Sequence, residues 1–135
     1  YSDLPRVECY AGQINQVFMN IICNAVDALI EKYKYKDTND DNPQILISTA
    51  TSTNKQSAII RITDNGVGIA EDVRTRIFDP FYTTKEVGKG TGLGLAISYQ
   101  IVVEKHGGMI KCTSKPNQNT EFMIEIPLKQ AIMHK

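Results

Sequence analysis

Residues 13–31 form a helix that is apolar almost all the way round, and this constrains the fold more than any other stretch of the chain. On a wheel of about 100° per residue, Ile14, Val17, Phe18, Ile21, Ile22, Ala25, Ala28 and Leu29 fill one broad face. Met19, Cys23, Val26 and Ile30 carry the apolar surface round the other side. The remaining arc holds Gln16, Asn20, Asn24, Asp27 and Glu31 together. A helix of this kind is mostly buried, and its polar stripe faces either bulk solvent or a polar cavity. Solvent faces usually carry Lys and Glu, whereas Asn is a mediocre helix former. Asn20 and Asn24, one turn apart, set two neutral amide oxygens on one line, a pairing suited to a hard cation such as Mg²⁺.

With 135 residues the chain is long enough for one compact domain with its own core. Its 41% hydrophobic and 22% charged residues, with zero net charge, fit a soluble globular protein and give no nucleic-acid footprint. Apolar runs of only a few residues predict no membrane contact by this domain. The opening residues do not read as a secretory leader. Cys9, Cys23 and Cys112 are dispersed, with no CxxC pair. They read as free, mostly buried thiols in a reducing compartment, which points to the cytoplasm.

Periodicity predicts a short strand over 6–10, a helix over 12–35, and a polar surface loop over 36–43 ended by Pro43. Strands follow over 44–52 and 57–64, joined by a TNK turn. A short helix is expected over 70–76, where Glu71 and Asp72 suit a helix start. Residues 78–91 are glycine-rich and irregular, and a helix over 92–106 comes next. Strands over 108–114 and 120–126, joined by KPNQN, close the pattern. The expected fold is an α+β two-layer sandwich, with about three helices on a mixed, mostly antiparallel sheet.

Three further stretches carry chemistry. Strand 57–64 runs into DNGVGI, which puts Asp64 at the strand end with Gly66 and Gly68 just beyond. An ionised carboxylate only accepts hydrogen bonds, which suits the exocyclic amine of adenine. The glycines would admit a planar base against the backbone; a plain Asn-Gly turn is the alternative. In FDPFYTTK, Phe78 and Phe81 flank Pro80 and form a peg ahead of a glycine run, as a mobile lid requires. Lys85 and Lys89 follow, either as phosphate contacts or as solvated surface cations.

Last, GKGTGLGLAI loads glycines onto the first turn of a helix, although glycine costs roughly 1 kcal/mol there relative to alanine. Free N–H groups at a helix start favour an anion, phosphate above all. The stretch is neither a GxxxxGK[ST] loop nor a GxGxxG fingerprint.

Taken in order, NIICNAVDA (20–28), DNGVGI (64–69), FDPFYTTK (78–85) and GKGTGLGLAI (88–97) resemble the N, G1, F and G2 boxes of the ATP-binding catalytic domain of sensor histidine kinases. That domain belongs to the superfamily shared with gyrase, Hsp90 and MutL, and the resemblance extends from PRVECY to FMIEIPL. It implies the Bergerat ATP-binding sandwich, holding Mg·ATP between its helical layer and a lid. By match to the boxes, Asn24 ligates Mg²⁺ and Asn20 supports the metal and phosphates. Asp64 binds the adenine amine, Gly66 and Gly68 shape that pocket, and Ile69 and Phe81 count among the nucleotide-binding positions. Gly90, Thr91, Gly92, Leu93 and Gly94 bring N–H groups to the phosphates.

Hydrolysing members carry a Glu where this chain has Asn20, and a carboxamide cannot take a proton from water at neutral pH. Transfer to an external nucleophile is therefore favoured over hydrolysis. Many members also have a basic residue and an aromatic where Asp27 and Ala28 stand. Asp27 stays in the polar wedge of the site, and Lys85 or Lys89 becomes the candidate cation.

The resemblance implies a histidine kinase that phosphorylates a histidine on a separate dimerisation domain and acts, through it, on a response regulator. His106 suits a helix C-terminus and His134 a polar tail, so neither is the acceptor. The chain is thus expected to be one catalytic domain of a larger protein. Two alternatives remain: a module that holds ATP without transferring it, and a serine-directed anti-sigma kinase.

Overall fold

The computed structural model describes residues 11–34, 42–53, 56–79, 94–116 and 118–128. Its elements are helix α1 (Ala11–Tyr33), strands β1 (Ile45–Thr51) and β2 (Ser57–Asp64), and the short helix α2 (Glu71–Arg74). Helix α3 (Gly94–Tyr99) follows, continued by a π-helical segment (Gln100–Lys105), and then strands β3 (Met109–Lys115) and β4 (Asn119–Pro127). The strands form one sheet in the order β1-β2-β4-β3, with every neighbouring pair antiparallel. This is the expected two-layer sandwich. The strand expected over 6–10 lies outside the described residues.

Alternation along each strand decides which side chains meet the helices. On β2 the inward positions are Ala58, Ile60, Ile62 and Asp64; on β4 they are Thr120, Phe122, Ile124 and Ile126. Ile110 and Cys112 do the same on β3. These side chains pack against Ile14, Val17 and Ile21 of α1 and against Ile77, Ile101 and Val102. Asp64 is therefore the fourth inward position of a buried strand, opposite Ile45 on β1 and Thr120 on β4.

Among the described residues, helix α1 is covered on one side. Ile14, Val17, Ile21 and Ala25 are buried on the sheet, but Met19 and Ile30 are 58% and 59% exposed, with Val26 and Cys23 beside them. The mostly buried helix expected from its composition is thus a half-covered one, because a single sheet can cover a single face. Cys112 is the buried thiol of the described pair and Cys23 the exposed one.

Two local departures have physical causes. The helix expected over 92–106 changes from α to π at Gln100. Its end is closed by Gly107 N–H donating to the Val103 carbonyl and Gly108 N–H to that of Val102. The buried His106 ring also bonds there, its Nδ1 lying 2.8 Å from the Ile101 carbonyl. The helix expected over 70–76 shrinks to α2. Arg74 spans it by pairing with Glu71, and donates from Nη1 to the Cys112 carbonyl at 3.2 Å, docking α2 on β3.

Candidate functional site

Asp64 is 4% exposed, so the parity of β2 has put a carboxyl group in a core position. Burial pushes its pKa above the ordinary aspartate value. The Gly66 N–H, donating to Oδ1 at 2.8 Å, and the positive charge of Lys32 act the other way. When ionised, this carboxyl is a buried acceptor with one fixed donor, the Gly66 N–H. Beneath it, burial pushes the Cys112 thiol up to about 12, with the Asp64 charge adding to the effect. That thiol stays protonated and inert.

The DNGVGI turn is held to its surroundings on three sides. Asn65 clips it to the segment before β1: Oδ1 accepts from Gln44 N–H at 2.7 Å, and Nδ2 donates to the Asn42 carbonyl at 2.8 Å. The Ile69 N–H donates to Ser114 Oγ at 2.7 Å, and Ser114 in turn donates to the Asn119 carbonyl. On the third side Lys32 of α1 donates to the Asn65 carbonyl at 2.9 Å.

Both glycines of this turn answer to the protein's own packing. A Cβ on Gly66 would stand 2.7 Å from the Ala28 Cβ. One on Gly68, whose φ is +74°, would run into the Lys115 carbonyl and the Pro116 Cα. The cause seen here is close approach by α1 at Gly66 and by the β3–β4 hairpin at Gly68, separate from the expected room for a planar base.

At the other end of α1, Asn20 donates from Nδ2 to the Gly94 carbonyl at 3.0 Å and to Ser98 Oγ at 3.2 Å. Ser98, fully buried, donates to the same carbonyl at 2.8 Å. Two side chains, Asn20 and Ser98, bonded to each other, therefore hold the first residue of α3. Among the described residues, the three atoms nearest to a Cβ on Gly94 all belong to Asn20, at ordinary contact distances of 3.6 Å and beyond, so these neighbours make no demand for glycine there. Asn24 is half-buried one turn along from Asn20, and Asp27 is exposed.

These contacts lie along one ridge of α1. Asn20 touches the start of α3, Ala28 touches Gly66, and Lys32 touches Asn65, with Asn24 between. The spacing 20, 24, 28, 32 is the i, i+4 ridge of a helix, about 18 Å long at 1.5 Å per residue. The structure thus brings together Asn20 with Gly94, and Asp64 with Gly66, Gly68 and Ile69, along a single wall. Sequence reading found the Asn end of this ridge and missed Ala28, Lys32 and Ser98; continuing the i+4 step from Asn20 would have reached the first two. Phe81, Lys85, Lys89, Gly90, Thr91, Gly92 and Leu93 lie outside the described residues. A depression of about 260 Å³, lined by Thr63, Thr113, Ser114, Lys115, Asn119 and Glu121, opens on the outer face of the sheet and shares Ser114 and Lys115 with the surroundings of the DNGVGI turn.

A sequence profile of the family described as histidine kinase-, DNA gyrase B- and HSP90-like ATPases matches residues 10–130. Sporulation kinase E of Bacillus subtilis is 37% identical over 95% of this chain and 15% of its own length. The sensor histidine kinase ZraS of Escherichia coli is 34% identical over 93% of this chain and 24% of its own. The sensory histidine kinase/phosphatase NtrB of Rhizobium leguminosarum is 37% identical over 92% and 32%. The chain thus spans a third or less of the length of these curated relatives. Among solved structures, the nucleotide-free catalytic domain of histidine kinase ThkA superposes with a TM-score of 0.70 at 32% identity, over 90% of this chain and 71% of that one. Full-length ShkA in complex with AMPPNP gives 0.76 at 28% identity, over 96% and 24%. Motifs, fold and relatives agree, and the chain belongs to the histidine kinase-, DNA gyrase B- and HSP90-like ATPase family as an ATP-binding domain of the sensor histidine kinase kind.

Proposed function

We propose that this domain binds Mg·ATP along the α1 ridge and donates the γ-phosphoryl group to a histidine on a separate dimerisation domain of a larger, two-component signalling protein. Asp64 accepts the adenine amine, while Gly66, Gly68 and Ile69 wall the base pocket with Phe81. Gly90, Thr91, Gly92, Leu93 and Gly94 cradle the phosphates, Lys85 or Lys89 neutralises them, and Asp27 lies at the edge of the polar wedge. Mg²⁺ is held by the Asn24 amide oxygen, with Asn20 in support. The donor chemistry suits that ion, because the ridge carries two neutral amides one turn apart, Asn20 and Asn24.

The observation that carries the transfer reading is Asn20. Its Nδ2 donates to the Gly94 carbonyl and to Ser98 Oγ. It stands where a water-activating base would be needed, and an amide cannot supply one. The residues position and neutralise, and the P–O bond to the departing ADP breaks as a P–N bond to the acceptor imidazole forms. Among the described residues no helix is long and apolar enough to cross a membrane, and we place the domain in the cytoplasm, whatever anchors its parent. A response regulator is the onward recipient of the phosphoryl group.

The test is autophosphorylation of the full-length parent with Mg·ATP. Acid-labile phosphohistidine should form and should be lost in Asn24→Ala. Steady ATP hydrolysis by the isolated chain, without any acceptor, would contradict the transfer reading. The exposed Asp27, standing where a basic residue is usual, favours a second reading, a nucleotide-holding module without transfer. Phosphohistidine that depends on Asn24 rules it out.

A further inference from the structure

Lys32 belongs to none of the four boxes, yet it closes the α1 ridge at the base-binding end. Its ammonium donates to the Asn65 carbonyl at 2.9 Å and lies 5.6 Å from the centre of the Tyr33 ring. A lysine tethered at both a carbonyl and an aromatic face is held in place, unlike one left to sample solvent. The Asn65 carbonyl it holds is the one directly after Asp64, so α1 and the end of β2 are joined at the carboxyl that faces the pocket.

We propose that Lys32 is a positioning and specificity-determining residue for the base: it ties the Asp64 turn to α1 and sets a fixed positive charge beside the carboxyl group, so that the pocket selects a 6-amino purine over a 6-oxo purine. The inference rests on the reading of Asp64 as the adenine contact. An ionised carboxylate offers only lone pairs. It accepts from an exocyclic amine and repels the carbonyl oxygen of hypoxanthine or guanine. A protonated carboxyl has an O–H to give and welcomes that carbonyl, so selectivity depends on the charge at Asp64. The groups set against Asp64 are the Gly66 amide of its own turn, the Lys32 ammonium of α1 and the Cys112 thiol of β3, with Thr120 of β4 opposite in register. Burial drives the carboxyl towards its neutral form, and Lys32 opposes that drive.

The experiment is calorimetric titration of non-hydrolysable ATP and ITP analogues into the wild type, Lys32→Gln and Lys32→Arg at pH 6 and pH 8. Glutamine keeps a donor for the Asn65 carbonyl and removes the charge; arginine keeps both. Lys32→Gln should lose about tenfold of the preference for ATP over ITP at pH 6, the lower end of what one charged hydrogen bond discriminates. It should recover much of that preference at pH 8, and Lys32→Arg should follow the wild type throughout. An unchanged preference in Lys32→Gln at both pH values would overturn the proposal. So would an equal weakening of both nucleotides at both pH values, which is the mark of a purely structural tether. A wild type that binds neither nucleotide overturns the site itself, and this inference with it.

Discussion

Asp64 is the residue at which the fold and the proposed function pull in opposite directions. Its folded pKa is raised by burial, so its contribution to stability is present at low pH and is lost as pH rises through that value. Above it, the native state must hold an ionised carboxylate in a core position. Asp64→Asn is therefore expected to melt at a higher temperature than the wild type at pH 8, with the gap closing as the pH is lowered, and to bind adenine nucleotide far more weakly. Thermal unfolding across that pH range checks it; a variant less stable than the wild type at pH 8 would contradict the account of this carboxyl. The inward placement of Asp64 was legible in the sequence, since SAIIRITD alternates and residues 58, 60, 62 and 64 share a face. Ser98 was not, and for Lys32 the i+4 step gives its place on the ridge but not its partner. Their partners lie 33 and 78 residues away in the chain, and no local pattern encodes a hydrogen bond that only the packed layers create.

At the scale of elements, the DNGVGI turn is shaped by what packs on it. Gly66→Ala sets a new methyl group 2.7 Å from the Ala28 Cβ, an overpacking expected to cost about 1–3 kcal/mol. Gly68→Ala meets backbone atoms of Lys115 and Pro116, which have no side-chain freedom to yield, and adds about 1–2 kcal/mol for its left-handed conformation. Urea unfolding should rank Gly68→Ala as the more damaging. Adding Ala28→Gly should return part of the stability lost in Gly66→Ala and none of that lost in Gly68→Ala. If Gly66→Ala proves neutral, the contact with α1 does not govern the turn. Element types were readable from periodicity, as α1 and the four described strands demonstrate. The α-to-π change at Gln100 was not, because apolar spacing along LAISYQIVVEK fits either ladder and the choice is made by the buried His106 and the two amides after it.

Across the whole molecule, the spatial order β1-β2-β4-β3 sets β4 between β2 and β3, and so brings Thr120 and the β3–β4 hairpin up to the Asp64 turn. Sequence order alone does not give that neighbour relation; four ordered boxes and the family they belong to do. The exposed side of α1 had a similar limit, since Met19, Cys23, Val26 and Ile30 read as core by composition while one sheet leaves them uncovered. The 20-24-28-32 ridge forms a wall joined to α3 at one end and to the DNGVGI turn at the other.

The most direct measurement of that account is calorimetric titration of a non-hydrolysable ATP analogue, with and without Mg²⁺, into the wild type, Asp64→Asn and Asn24→Ala. The account predicts binding by the wild type that Mg²⁺ strengthens, a loss of about tenfold or more in Asp64→Asn, and binding by Asn24→Ala that no longer responds to Mg²⁺. No adenine nucleotide binding to the wild type under either condition, or full binding and full Mg²⁺ response in both variants, would contradict it.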